Sequence, residues 1–288
     1  MNNYTIMTDS CCDLSQETLL KWGIESVSLK FRNIHDNIIC SDWDMPASDF
    51  YCAMRNGTVF QTSTVNPDEY RTAFRNLLDR GNDILYISFS SGLSGTCRMA
   101  ECAARELAEE YPKRKLHVFD SLCASAGQGL LVYLAVKKKS EGADFETLVR
   151  YISEIAPKIC HWFTVDDLIY LKRGGRINAA SAFAATILDI KPIMHMDETG
   201  HLEAVSKIRG RKHSIRVLAE KYQSLAENPE DGEYFISHGD CLEDALLLEN
   251  IIRQKFGIKA SCITDVGSVI GAHSGPGTLA LFFIGKQR

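Results

Sequence analysis

Apolar residues along this chain come in short runs that switch between two periods. Ile84, Leu85, Tyr86, Ile87 and Phe89 form a compact apolar stretch that glycines interrupt at once, the pattern of a buried strand. After Gly95, Met99, Cys102, Ala103 and Leu107 recur at helical spacing, while Arg98, Glu101, Arg105 and Glu109 take the opposite side. Strand, hydroxyl-bearing turn and helix thus form a unit, and the chain repeats it. Tyr4 to Met7 predicts a first strand, followed by Thr8-Asp9-Ser10 and a helix from Ser15 to Trp22 that Ser15 caps and Gly23 ends. Glu25 to Phe31 alternates as one edge or crossover strand would, and Asn33 to Pro46 is polar and irregular. A helix is expected from Ser48, as its cap, to Asn56, with Gly57 as its stop, and another near Pro67 after Thr62-Ser63-Thr64. Leu116 to Phe119 predicts a further strand, and Gly127 to Lys139 a helix.

From about Ile159 the texture changes. Trp162 to Val165 reads as a strand, and Gly174-Gly175 breaks an amphipathic helix between Lys172, Arg173 and Arg176. Asn178 to Leu188 is almost wholly small or apolar and predicts a helix buried nearly all round. Lys191 to Met196 and Leu202 to Lys207 flank a turn-rich tetrapeptide and predict a hairpin. A helix to about Ala226, a strand at Tyr234 to Ser237, a helix from Glu243 to Phe256 and a strand at Ala260 to Thr264 continue the alternation. The segment from Gly267 to Gly285 then reads as a glycine-rich loop and a strong last strand. The fold class expected is α/β in two α/β domains. Residues 1–158 would form a Rossmann-like, mostly parallel sheet, and residues 159–288 a mixed sheet with helices.

Composition narrows the function. A chain of 288 residues, 45% hydrophobic and 24% charged, without an apolar run approaching ~18 residues, predicts a soluble globular protein. The N-terminal residues lack the basic region and apolar core of a signal peptide, which predicts a cytoplasmic location with reduced thiols. The ten cysteines include adjacent Cys11 and Cys12 but no CxxC pair, so neither a metal site nor a redox motif is expected. A net charge of −5 argues against nucleic acid as a partner.

Small hydroxyl residues follow several expected strands: Thr8 and Ser10, Ser90, Ser91 and Ser94, then Ser121 and Ser125. In a parallel βα sheet these would converge where ligands bind, beyond the carboxyl ends of the strands at the switch in strand order. Free backbone N–H groups at a helix start would hold an anionic group there without a lysine, although helix capping alone accounts for the same residues. A phosphate-binding P-loop is unsupported, since Thr96 and Cys97 follow Gly95 where a lysine is required. A nucleophile elbow at Ser94 fits Gly92 but not Thr96. A serine hydrolase using Ser94 and His273 stays open as the alternative, and needs a carboxylate such as Asp265 or Asp9 behind the histidine. His161 and His238 read as structural.

The stretches TDSCCDL, QTSTVNP, ISFSSGLSGT, FDSLCASAGQG, TVDDLIYLKRGGRI, KIRGRK, ISHGD and VIGAHSGPGTLAL, in this order over almost the whole chain, resemble the DegV family of bacterial fatty-acid-binding proteins. The resemblance implies two α/β domains enclosing one long-chain fatty acid, with no cofactor, no metal and no catalysis by the chain alone. It implies a partner, the catalytic subunit of a fatty acid kinase, to which the carboxylate is presented for acyl-phosphate formation. A transient contact with the membrane surface for lipid exchange is also allowed. By the same resemblance the carboxylate falls to Thr62, Ser94 and His273, and docking of the kinase to Arg209, with Arg176 in a family motif assigned beside it. The sequence departs from the family where a glutamine and a proline usually follow the first serine of the Thr62 loop, here Thr64 and Val65, and where Cys11-Cys12 stand in place of serines.

Overall fold

In the computed structural model, residues 4–36, 38–177 and 189–288 are described. The first half holds β1 (Tyr4–Asp9), α1 (Gln16–Lys21), β2 (Glu25–Val27), β3 (Lys30–Asn33), β4 (Ile39–Ser41), α2 (Ala47–Arg55), β5 (Phe60–Ser63) and α3 (Pro67–Asp79). It continues with β6 (Asp83–Ser88), α4 (Thr96–Glu110), β7 (Leu116–Asp120), α5 (Ala126–Ser140) and α6 (Phe145–Ile155). The second half holds β8 (Ile159–Thr164), α7 (Ile169–Gly174), β9 (Ile190–Met196), β10 (Leu202–Arg209) and α8 (Arg211–Leu225). It ends with β11 (Tyr234–His238), α9 (Leu242–Phe256), β12 (Cys262–Asp265), α10 (Ser268–Ser274) and β13 (Leu279–Ile284). The helix expected over Asn178 to Leu188 lies outside the described residues.

The protein is an α/β fold. Strands β2-β1-β6-β7 form a wholly parallel sheet, and β10-β9-β8-β13-β11-β12 a mixed one in which only β11 and β12 run parallel. A small antiparallel sheet, β4-β3-β5, is separate from both. The single strand expected over Glu25 to Phe31 is therefore two strands in different sheets. At the break the Leu29 N–H is donated to the Ser10 hydroxyl (3.1 Å), and the Ser28 hydroxyl bonds to the Leu29 carbonyl (2.8 Å), so side chains replace ladder partners while the chain changes sheet. The polar stretch read as irregular contributes β4, whose Ile39 to Ser41 pair with β3. Ser48 does not cap α2: the helix begins at Ala47, after Pro46, and has no side-chain cap.

Helix α5 joins the two large sheets. Ala126 to Val132 are all buried, and the helix packs between β1 and β6 on one side and β8, β11 and β13 on the other. Two glycines make this approach possible. A Cβ at Gly127 would overlap His161 and come 2.7 Å from the Phe282 ring, while one at Gly129 would lie 2.6 Å from the Cys12 carbonyl oxygen. Glycine inside a helix costs about 1 kcal/mol relative to alanine, which close packing on both faces offsets. One apolar core consequently spans both sheets, from Ile6, Leu85 and Ile87 through Leu130 and Leu131 to Phe163, Phe235 and Phe282.

Candidate functional site

The switch in strand order of the parallel sheet lies between β1 and β6. The Asp9 carboxylate fills the position and accepts from the N–H groups of Cys11 (3.1 Å) and Phe89 (2.9 Å), the Tyr86 hydroxyl (2.8 Å) and Gln128 Nε2 (3.3 Å). Several of the expected hydroxyls are likewise spent on the backbone: Thr8 donates to the Ile87 carbonyl, Ser90 to Gly200 and Ser121 to Ser88. The cavity lies between the parallel sheet, the mixed sheet and the small sheet, and Ser94 and Ser125, which follow β6 and β7, are on its wall. Its volume is about 140 Å³. Leu29, Phe89, Leu93, Phe163, Leu171, Met196, Val269, Ile270 and Phe282 make its wall predominantly apolar.

Helix α10 runs along this cavity, and was not expected in the glycine-rich segment. Val266, Val269, Ile270, His273 and Ser274 line the cavity at the spacing of one helical face. The first half of the chain holds the helix. Asp13 Oδ1 accepts from the Gly267 N–H (3.0 Å), Asp42 Oδ1 from the Val269 N–H (2.8 Å), and the Tyr51 hydroxyl donates to the Val266 carbonyl (2.8 Å). Two buried carboxylates thus satisfy N–H groups that a helix start leaves without partners. Burial raises both, Asp42 to about 6 and Asp13 well above the usual carboxylate range.

Thr62 and His273, far apart in sequence, meet at one end of the cavity, where Thr62 Oγ1 lies 2.8 Å from His273 Nε2. His273 Nδ1 is buried, has no partner among the described residues and packs against Gly174, where any Cβ would overlap the ring. Burial, reinforced by the Arg176 charge, lowers the imidazole from 6.5 to about 4, so it is neutral near pH 7. Its single proton belongs on Nε2, because a proton on Nδ1 would be buried without an acceptor. Nε2–H therefore donates to Thr62, and the Thr62 hydroxyl hydrogen is left for an acceptor in the cavity. Ser94 repeats the arrangement. Its Oγ accepts from the Thr96 N–H (3.2 Å) and pairs with Thr96 Oγ1 (2.8 Å); the buried Thr96 hydroxyl has no other acceptor among the described residues, so it donates and the Ser94 hydrogen remains free.

Arg176, half-buried, lines the same cavity. Its guanidinium donates to the Leu93 carbonyl (3.1 Å) and to the Gly174 carbonyl, and its burial lowers its pKa. Among the described residues it is the one lining side chain that is charged at neutral pH. Two unspent hydroxyl hydrogens, a neutral imidazole and an arginine together can satisfy an anionic oxygen pair. Ser63 and Thr64 are exposed, so the cavity meets the surface near Thr62. The departure from the family's usual loop costs little local order: Val65 is buried, and Asn66 caps α3 in a capping box with Glu69.

Arg209 ends β10, the edge strand of the mixed sheet, and is exposed. Neither carboxylate considered for His273 reaches it, since Asp265 lies 3.4 Å from His238 Nδ1 and Asp9 is held at the strand switch. His161 does line the cavity, with both ring nitrogens engaged: Nδ1 bonds to the Ile159 carbonyl (3.0 Å) and Nε2 accepts from the Ala124 N–H (3.2 Å). Sequence reasoning missed Ser237 as a wall residue. Its Oγ lies 2.8 Å from that of Ser125, which also donates to the Asp13 carboxylate. Among the described residues, no three His, Cys, Asp or Glu side chains are grouped to hold a metal ion, and no helix is long and apolar enough to cross a membrane.

Fold and site define an α/β protein with an internal apolar cavity that is polar and cationic at one end. The chain belongs to the DegV family: the family model described as "Uncharacterised protein, DegV family" matches residues 3–286. A DegV domain-containing protein of Clostridium perfringens is 39% identical over 100% of this chain and 99% of its own length. The structure matches that of a DegV family protein from Thermus thermophilus, described by its fatty acid binding, with a TM-score of 0.88 at 28% identity, covering 98% of this chain and 99% of that one. A fatty acid binding DegV family protein from Streptococcus agalactiae matches with a TM-score of 0.83 at 26% identity, over the full length of both chains.

Proposed function

We propose that this protein binds one long-chain fatty acid in the cavity and presents its carboxylate to a separate ATP-dependent kinase, without catalysing a reaction alone. The observation that carries the reading is the coincidence, at one end of an apolar cavity, of two hydroxyl hydrogens without acceptors and a lone guanidinium. Thr62, Ser94 and His273 take the carboxylate in this reading, and Arg176 supplies the charge. Burial of the chain contributes about 0.8 kcal/mol per methylene, so the tail dominates affinity and the polar end sets orientation. Fatty acid binding by the related proteins supports the assignment.

In the transfer step a carboxylate oxygen would attack the γ-phosphorus of ATP bound to the kinase, with ADP leaving. Arg209, exposed on an edge strand, is assigned to docking that kinase in the cytoplasm. The hydrolase alternative lacks its geometry: Ser94 pairs with Thr96, and no carboxylate stands behind His273 among the described residues.

Native mass spectrometry of protein purified without added lipid tests binding. One long-chain fatty acid per folded chain is expected, and folded protein without stoichiometric ligand would overturn the reading. For docking, Arg209→Ala should keep its lipid and its Tm but lose acyl-phosphate formation with the matching kinase and ATP. Loss of lipid binding with normal phosphorylation of whatever lipid remains would remove Arg209 from docking.

A further inference from the structure

Resting on the fatty acid reading, the geometry points to a second, neutral polar station inside the cavity, at Ser125 and Ser237, that receives a hydroxyl carried by the acyl chain itself. The ligand class is thereby a hydroxylated long-chain fatty acid.

The station is separate from the anionic end. Ser125 Oγ donates to Asp13, whose other oxygen accepts the Gly267 N–H (3.0 Å) at the start of α10, whereas His273 sits in the last turn of that helix. Six residues at 1.5 Å each put these two helix positions about 9 Å apart. Ser125 and Ser237 both line the cavity, as do Ala124, Ala280, Phe282 and His161, whose ring nitrogens are both engaged. An unsubstituted chain passing them offers no hydrogen-bonding partner.

Hydroxyl counting says what the station needs. With Asp13 ionised, Ser125 donates to the carboxylate and Ser237 donates to Ser125, which leaves the Ser237 oxygen as an open acceptor. With Asp13 protonated, as its burial favours, the chain of donors reverses and Ser237 has an open hydrogen. A hydroxyl satisfies both states, because it donates and accepts; a ketone or ether satisfies only the second. Among the described residues the cation on the cavity wall is Arg176, so the chain enters with its acid at Arg176 and its hydroxyl at Ser237.

Competition binding of stearate and of monohydroxystearates bearing the hydroxyl at successive mid-chain carbons tests the station. Wild type should bind one positional isomer on the order of tenfold more tightly than stearate, and isomers displaced by several carbons no better than stearate. In Ser237→Ala the affinity ratio of that isomer to stearate should fall on the order of tenfold; the isomer series on wild type decides the matter should the variant not fold. If stearate binds and every hydroxystearate binds equally or more weakly, the inference is overturned while the fatty acid reading stands. If neither binds to folded protein emptied of lipid, both fall.

Discussion

The cavity's two polar stretches use the same hydroxyl chemistry in opposite settings. At Thr62 and Ser94 each hydroxyl oxygen is engaged from inside the protein, by His273 or by Thr96, and the nearby charge is the Arg176 cation. At Ser125 and Ser237 the hydroxyls engage one another, and the nearby ionisable group is the Asp13 carboxyl. Serines and threonines alone therefore do not make an anion site. The sign of the buried group behind them decides, since an acid would be drawn to Arg176 and repelled by ionised Asp13.

Breaking the frame that holds both stretches should have the largest effect. Gly127 lies two residues beyond Ser125 and against His161, so Gly127→Ala must push the imidazole away and strip the Ala124 N–H of its acceptor. A loss of about 4 kcal/mol is expected in chemical denaturation, and unchanged stability would mean the two sheets have room to separate. Next in size is the charge itself. Arg176→Gln should weaken a long-chain fatty acid on the order of tenfold or more while leaving the alcohol of equal length nearly unaffected, read by competition binding. Equal weakening of acid and alcohol would reduce Arg176 to a wall residue.

A third comparison concerns the proton balance of the anionic end. His273 is lowered to about 4 from 6.5, so in that window the unfolded chain takes up a proton that the folded chain does not. Stability from this group is complete above about pH 6.5 and falls as pH drops toward 4. Asp42, raised to about 6, acts oppositely, because the folded chain keeps a proton that the unfolded chain has lost between its ordinary value and about 6. Comparing wild type with His273→Gln cancels the Asp42 contribution. Going from pH 7 to pH 5, wild type should lose on the order of 2 kcal/mol relative to the variant, and parallel profiles would contradict a buried neutral imidazole.

Much of this architecture was legible from periodicity. β6 with its central apolar run, α4 with its sided charges and the β9–β10 hairpin lie where the pattern puts them. What escaped was set by contacts distant in sequence. Nothing local marks Leu29 as the point where the chain changes sheet, because the partner that permits it is the Ser10 hydroxyl. The segment around Gly271 reads as loop by composition, yet it is helical: its first turn receives carboxylates from Asp13 and Asp42, and a Cβ at Gly271 would meet Tyr51 and Phe50. Gly127 and Gly129 look like helix weaknesses until both sheets are in place. Among the site residues, resemblance marked Thr62, Ser94 and His273, but the cavity position of Arg176 and the wall position of Ser237 depend on how the two halves close on each other.

The capping of α10 by residues from the other half of the chain bears on how this protein can be taken apart. A fragment comprising residues 159–288 would carry His273 but neither Asp13 nor Asp42, and its seven-residue helix would start with unanswered N–H groups. The halves are thus not interchangeable cassettes. A chimaera that joins this second half to the first half of a relative keeps a capped α10 beside the cavity only where carboxylates stand at the positions of Asp13 and Asp42, so recombination within the family is constrained at two residues that do not line the cavity.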